Sequence, residues 1–168
     1  MIELRGVIGS LLGMVLAAAY SLHHDGIMRS GEGTSGLLHS EVKNEAFVDH
    51  KGVDRQALEV EIDRTKTHRA GDPKKIIVSD YDHQWSAFKC VNRLKRIAGA
   101  GMKSDQFLFP QVTFKRGVPD DLDWSKSLSY AALVKCIKHD VAKCGMDPTD
   151  FSGHSFRAGG ATDLFASG

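Results

Sequence analysis

The sequence predicts an α+β fold, mainly helical with a small antiparallel sheet packed to one side. Apolar residues recur at helical spacing near the start, in the middle and at the end of the chain, whereas Leu58, Val60 and Ile62 alternate with Glu59, Glu61 and Asp63 in the period-two pattern of a half-buried strand. Turn-forming Gly, Pro and Asp clusters separate these segments. With 168 residues, 42% hydrophobic and 26% charged, the chain is long enough to bury one core and has no signature of disorder or repetition.

The first helix is expected from Leu4 to about Leu22, apolar nearly all round as for a helix packed on several sides, and ending before Asp25-Gly26. Arg5 followed by the apolar run Val7 to Ala19 also imitates a secretory signal, which makes a small secreted protein the rival reading. Glu3 sits where that pattern wants positive charge, Gly9, Ser10 and Gly13 dilute the run, and it falls short of the roughly 20 residues that span a bilayer. A buried core helix is the favoured reading.

Residues 46 to 80 are predicted to form a β-hairpin, with a first strand through Leu58 to Ile62, a turn at Ala70-Gly71-Asp72-Pro73 and a return strand through Ile76 to Val78. A helix is expected from about Trp85, with Phe88, Val91, Leu94 and Ala98 inward and Lys89, Arg93, Lys95 and Arg96 largely on the exposed side. Residues 99 to 127 read as loop around the apolar island Phe107 to Pro110, and Asp120, Asp121 and Asp123 read as a solvated acidic loop. The next helix carries Tyr130, Leu133, Val134, Ile137, Val141 and Cys144 on one stripe, with Tyr130 in the core, and stops at Gly145. A last helix begins near Ser152 to Ser155 and should turn Phe156, Ala161, Leu164 and Phe165 inward.

A formal net charge of +1 does not advertise a nucleic-acid partner, so any basic face has to be local. The densest basic patch is on the Trp85 helix, where Lys89, Arg93 and Arg96 are candidate contacts to a DNA backbone. The three cysteines, Cys90, Cys136 and Cys144, match neither a disulfide framework nor a zinc pattern, and the eight histidines are scattered. They are read as free thiols in a reducing compartment, with no metal site.

Two arginines converging on one phosphate hold both non-bridging oxygens and neutralise the charge that grows during phosphoryl transfer. A histidine and a lysine beside them handle protons on the attacking and leaving oxygens, without metal or nucleotide. Three stretches supply these residue types in order: Met28-Arg29-Ser30-Gly31-Glu32 after the first helix, Arg64-Thr65-Lys66-Thr67-His68-Arg69-Ala70-Gly71 at the hairpin, and Gly153-His154-Ser155-Phe156-Arg157-Ala158-Gly159-Gly160-Ala161-Thr162 at the last helix.

In these stretches the sequence resembles the catalytic domain of the tyrosine recombinases, or phage-type integrases. The wording of the last stretch, and His23-His24-Asp25 before the first arginine, look more like recombinases of eukaryotic mobile elements than a typical bacterial integrase. The resemblance implies that Arg29 and Arg157 bind the scissile phosphate, that Lys66 protonates the departing 5′ oxygen, and that His154 assists. Glu32 would orient Arg29 or its neighbours. Lys74 and Lys75 remain alternatives for the lysine.

The family's nucleophile is a tyrosine on a helix beyond the His-x-x-Arg helix, whereas Tyr20, Tyr81 and Tyr130 all precede His154. Residues 1–168 are therefore expected to be a single partial catalytic domain, incomplete at its C-terminus and without the family's separate N-terminal DNA-clamping domain. Its expected parts are a helical region 1–45, a hairpin region 46–80 and a helical region 84–168. The implied partner is double-stranded DNA, with no cofactor and no membrane. The implied location is intracellular, nuclear in a eukaryote, and a homo-oligomeric synapse belongs to a full-length protein.

Overall fold

The computed structural model describes residues 10–29, 36–62, 74–81, 83–99 and 102–166. Helices and antiparallel strands combine in an α+β fold, as the sequence pattern predicts. Helix α1 (Leu11–Asp25) starts at Ser10, whose Oγ accepts the Gly13 N–H at 3.1 Å and so satisfies one of the orphan donors of the first turn. It is the centre of the core: Val15, Leu16, Ala18, Ala19 and Leu22 are all at or below 1% exposure. The helix runs on to Asp25, beyond the expected end, and its last turn is buried too, with the His23 ring bonded back to the Ala19 carbonyl.

A three-stranded antiparallel sheet follows, β1 (Val42–Val48), β2 (Asp54–Ile62) and β3 (Lys74–Ser79), with β2 in the middle. Its register sets Val42 opposite Val60 and Ile62 opposite Lys74. Leu58, Val60 and Ile62 are buried as the alternation requires. Strand β1 was not expected, and it falls partly in the region read as helical. As an edge strand it buries only Val42, so it carries no alternation to detect.

Helix α2 (Ala87–Ala98) covers the sheet with Ala87, Cys90, Val91 and Leu94 buried. Lys95 departs from expectation. Its Nζ reaches across to donate to the Val42 carbonyl at the edge of β1, and burial lowers its pKa from the ordinary lysine value.

The expected loop at 99–127 contains a second, two-stranded sheet, β4 (Pro110–Lys115) and β5 (Val118–Ser127). Arg116 and Gly117 turn the hairpin with φ of 52° and 81°, the left-handed pair that a tight two-residue turn requires. Val112 and Leu122, paired across the ladder, point into the core. The acidic residues Asp120, Asp121 and Asp123 thus lie on a strand. Their charge and the neighbouring Pro119 depress strand propensity and hid it.

Helix α3 (Tyr130–Lys143) is capped by Ser129 and buries Leu133, Ile137 and Val141. Tyr130 is 42% exposed rather than core, because it occupies the first helical position, outside the packed turns. Helix α4 (Ser155–Ala166) corrects another expectation: Leu164 and Phe165 are 61% and 86% exposed. Its contact with α1 is made by Phe156 and Gly160, against Tyr20 and His24 near the end of α1, so Leu164, one turn further on, and Phe165 lie past that end. Among the described residues no helix is long and apolar enough to cross a membrane.

Candidate phosphate-binding site

Arg29 owes its position to how α1 ends. The Ile27 N–H donates to the His24 carbonyl and the Met28 N–H to the His23 carbonyl, both at 3.2 Å, a paired closure that satisfies the last carbonyls of the helix. This closure needs a left-handed residue, which here is Ile27 at φ 49° rather than glycine. A β-branched residue in that region is strained by about 1–2 kcal/mol. The neighbouring Gly26 is required for space: a Cβ there would stand 2.8 Å from the Leu22 carbonyl oxygen. The chain reverses, Met28 is buried at 1% exposure, and Arg29 emerges half-buried beside the last turn of α1.

His154 and Arg157 are set by the start of α4. The Ser152 N–H donates to Ser155 Oγ at 2.9 Å, the His154 N–H donates to Ser152 Oγ at 3.2 Å, and the Ala158 N–H donates to the His154 carbonyl at 3.0 Å. His154 is therefore the residue at which the helix opens. It is exposed, at the positive end of the helix dipole, while Arg157 is half-buried one turn on. Residues so spaced have Cβ atoms about 5–6 Å apart, close enough to share one anion.

Helices α1 and α4 cross in direct contact. Phe156 stacks on Tyr20 with ring centroids 4.5 Å apart, and Gly160 lies against the His24 backbone so closely that a Cβ would stand 1.9 Å from its carbonyl oxygen. These contacts advance by four residues on both helices, so α4 runs in the same sense as α1. Because the Met28 N–H is bonded to the His23 carbonyl, the segment leading to Arg29 returns to the stretch of α1 that α4 covers. The contact sets the first turns of α4, with His154 and Arg157, alongside the second half of α1, and the chain leads on to Arg29 from the C-terminal end of that helix.

Lys66 and Glu32 lie outside the described residues. Of the alternative lysines, Lys75 is engaged by Glu59 at 2.9 Å and Glu61 at 3.3 Å, and these carboxylates hold its ammonium above the usual lysine range. That is the wrong direction for a general acid. Lys74 is exposed at the first position of β3.

On α2, Lys89, Arg93 and Arg96 are spaced four and three residues apart and share one stripe. Arg93 and Arg96 are exposed, and Lys89 is partly engaged by Asp80 at 3.8 Å. Lys95, the fourth cation of the sequence patch, is withdrawn into its bond with β1.

Sequence reasoning passed over the residues that tie the site together. Asp25, read as a turn residue and as part of the His23-His24-Asp25 wording but given no role, has a side chain 6% exposed that accepts from Tyr81 Oη at 2.9 Å, from the Ala87 N–H at 2.7 Å and pairs with His24 Nδ1 at 3.0 Å. It fastens the end of α1 to the start of α2. His24 Nε2 in turn meets Asp163 Oδ2 of α4 at 3.2 Å. These groups and Trp85 line a cleft of about 350 Å³ at the crossing. A helix ending in His-His-Asp was the available signal.

Two of the three tyrosines are committed to carboxylates. Tyr20 donates to the buried Asp140 at 3.2 Å and Tyr81 donates to Asp25. Burial first, and then those carboxylates, push both hydroxyls above the ordinary tyrosine pKa. No protein-family model and no curated protein matches the chain.

Proposed function

We propose that this chain is the phosphate-gripping part of a tyrosine recombinase catalytic domain, acting on double-stranded DNA in the breakage and rejoining chemistry of recombination and integration. The observation that supports the reading is the α1–α4 contact, Phe156 on Tyr20 and Gly160 on His24, which sets the helix opened by His154 and bearing Arg157 alongside the second half of α1, the helix from which the chain leads on to Arg29. In this role Arg29 and Arg157 hold the scissile phosphate, His154 assists proton transfer at the helix opening, and Lys66, with Glu32 as a supporting residue, completes the set. The α2 stripe of Lys89, Arg93 and Arg96 adds backbone contacts. The location is intracellular, nuclear in a eukaryote, and no cofactor is needed.

For this chain alone the reading is DNA binding without covalent cleavage. Tyr20 and Tyr81 are committed as donors to carboxylates and Tyr130 opens α3, which supports a role in which none of the three is the attacking tyrosine. A purified sample incubated with a nicked duplex that traps covalent intermediates should bind it and form no phosphotyrosyl adduct. A trapped adduct would overturn the binding-only role, and absence of any DNA binding would overturn the family reading. A second role, as a remnant in a mobile element that keeps phosphate contacts and no catalysis, is favoured by the same tyrosine geometry. Completion of the activity by adding a chain that carries the tyrosine separates the two.

A further inference from the structure

We infer that His24 is a positioning residue: held as an imidazolium between Asp25 of α1 and Asp163 of α4, it clamps the helix bearing His154 and Arg157 against α1, and loosens its hold on that helix on losing a proton. The consequence for DNA rests on the phosphate reading above; the clamp itself does not.

His24 Nδ1 lies 3.0 Å from Asp25 Oδ1, and Nε2 lies 3.2 Å from Asp163 Oδ2. An ionised carboxylate only accepts, and a neutral imidazole has a single N–H, so donating to both partners requires the doubly protonated ring. The hydrogen bond to Asp25 outweighs the opposing effect of burial, and with the charges of Asp25 and Asp163 it raises the His24 pKa above the ordinary histidine value. Among the described residues the other titratable groups around this pair are Tyr81, which donates to the same Asp25 oxygen, His83 on the cleft wall, and Cys90 near Asp25.

The two arms are unequal. Asp25 has a side chain only 6% exposed, and it keeps the Tyr81 hydroxyl and the Ala87 N–H as donors whatever His24 does. Asp163 is 73% exposed and solvated. When one proton leaves, the N–H facing buried Asp25 is retained and the one facing Asp163 is lost, which is the tie to α4. Gly159 and Gly160 lie against the ring and the carbonyl of His24, so α4 is in contact with the residue whose charge changes. The clamp is complete below the ordinary histidine pKa of about 6.5 and is lost as pH rises through the raised folded value.

The experiment is a heteronuclear NMR titration of the intact chain from about pH 5 to 9, following the His24 ring nitrogens and the α4 amides, on the parent and on Asp163→Asn. The parent His24 should titrate above about 6.5, and Gly160, Ala161 and Thr162 should shift with the same midpoint. Their exchange protection, corrected for intrinsic rate, should fall about two- to fivefold, the worth of a partly exposed ion pair. In Asp163→Asn the His24 midpoint should drop and the protection should stop depending on pH. A His24 ring that is neutral throughout, or a pH dependence unchanged in Asp163→Asn, overturns the clamp. DNA affinity of the same two proteins separates the readings: lack of binding at every pH removes the phosphate role and leaves the clamp to be judged on the amides.

Discussion

A Cβ atom on Gly160 would stand 1.9 Å from the carbonyl oxygen of His24, so two helices meet there backbone to backbone. Ordinarily, replacing a helix-interior glycine by alanine stabilises a protein by about 0.5–1 kcal/mol. At Gly160 the sign reverses: Gly160→Ala must push α4 off α1 and should cost about 1–3 kcal/mol. Its neighbour is the control. A Cβ on Gly159 would meet His24 Cδ2 at 3.5 Å, ordinary contact, so Gly159→Ala should be neutral or slightly stabilising. Urea unfolding of the two variants checks the contrast, and equal effects would contradict the packing described.

Tyr20→Phe should destabilise by about 1–3 kcal/mol, although it conserves shape and the stack on Phe156. The destabilisation arises because Asp140, 7% exposed, gives up the hydroxyl that donates to it at 3.2 Å. Thermal or urea unfolding measures it. A neutral result would mean that Asp140 finds another donor.

Asp123 should be among the last carboxylates to protonate on acidification. Lys126 at 2.8 Å first, and then Ser125, hold its pKa down to about 2. With the folded value depressed, its contribution to stability is present above the ordinary aspartate range and is lost as pH falls through the folded value. Carboxyl chemical shifts of Asp123 against pH test this, and Lys126→Ala should raise the midpoint. A midpoint unchanged in that variant would remove the lysine from the cause.

The stripe Lys89, Arg93 and Arg96 should contribute salt-dependent, sequence-independent affinity for duplex DNA. Replacing all three by alanine should reduce the slope of log affinity against log salt by about 0.9 for each phosphate that is no longer neutralised. An unchanged slope would identify the stripe as a solvated helix face.

Much of this organisation is legible in the residues, and the exceptions have physical reasons. The inward set Val91 and Leu94 and the alternation of Leu58, Val60 and Ile62 are strong periodic signals, because each element presents one face to the core. Strand β1 packs a single residue inward and shows no such period. In β4 and β5 the cross-strand pair Val112 and Leu122 is flanked by charge, so composition resembled loop while the left-handed pair Arg116-Gly117 marked the turn. For α4 the apolar residues misled: Gly160 already packs on His24 near the end of α1, so Leu164, one turn further along the same stripe, and Phe165 lie past that end. The pair His154 and Arg157 was visible as a motif. The bridge from Asp25 through His24 to Asp163 was not, since it joins residues nearly the whole chain apart.

Whether Arg157 grips a DNA phosphate is decided by the affinity of the intact chain and of Arg157→Ala for several unrelated duplexes over a range of salt. Arg157→Ala should bind every duplex more weakly, with the salt slope reduced by about 0.9, the share of one neutralised phosphate. An affinity and a slope that both stay the same in Arg157→Ala would refute the phosphate grip.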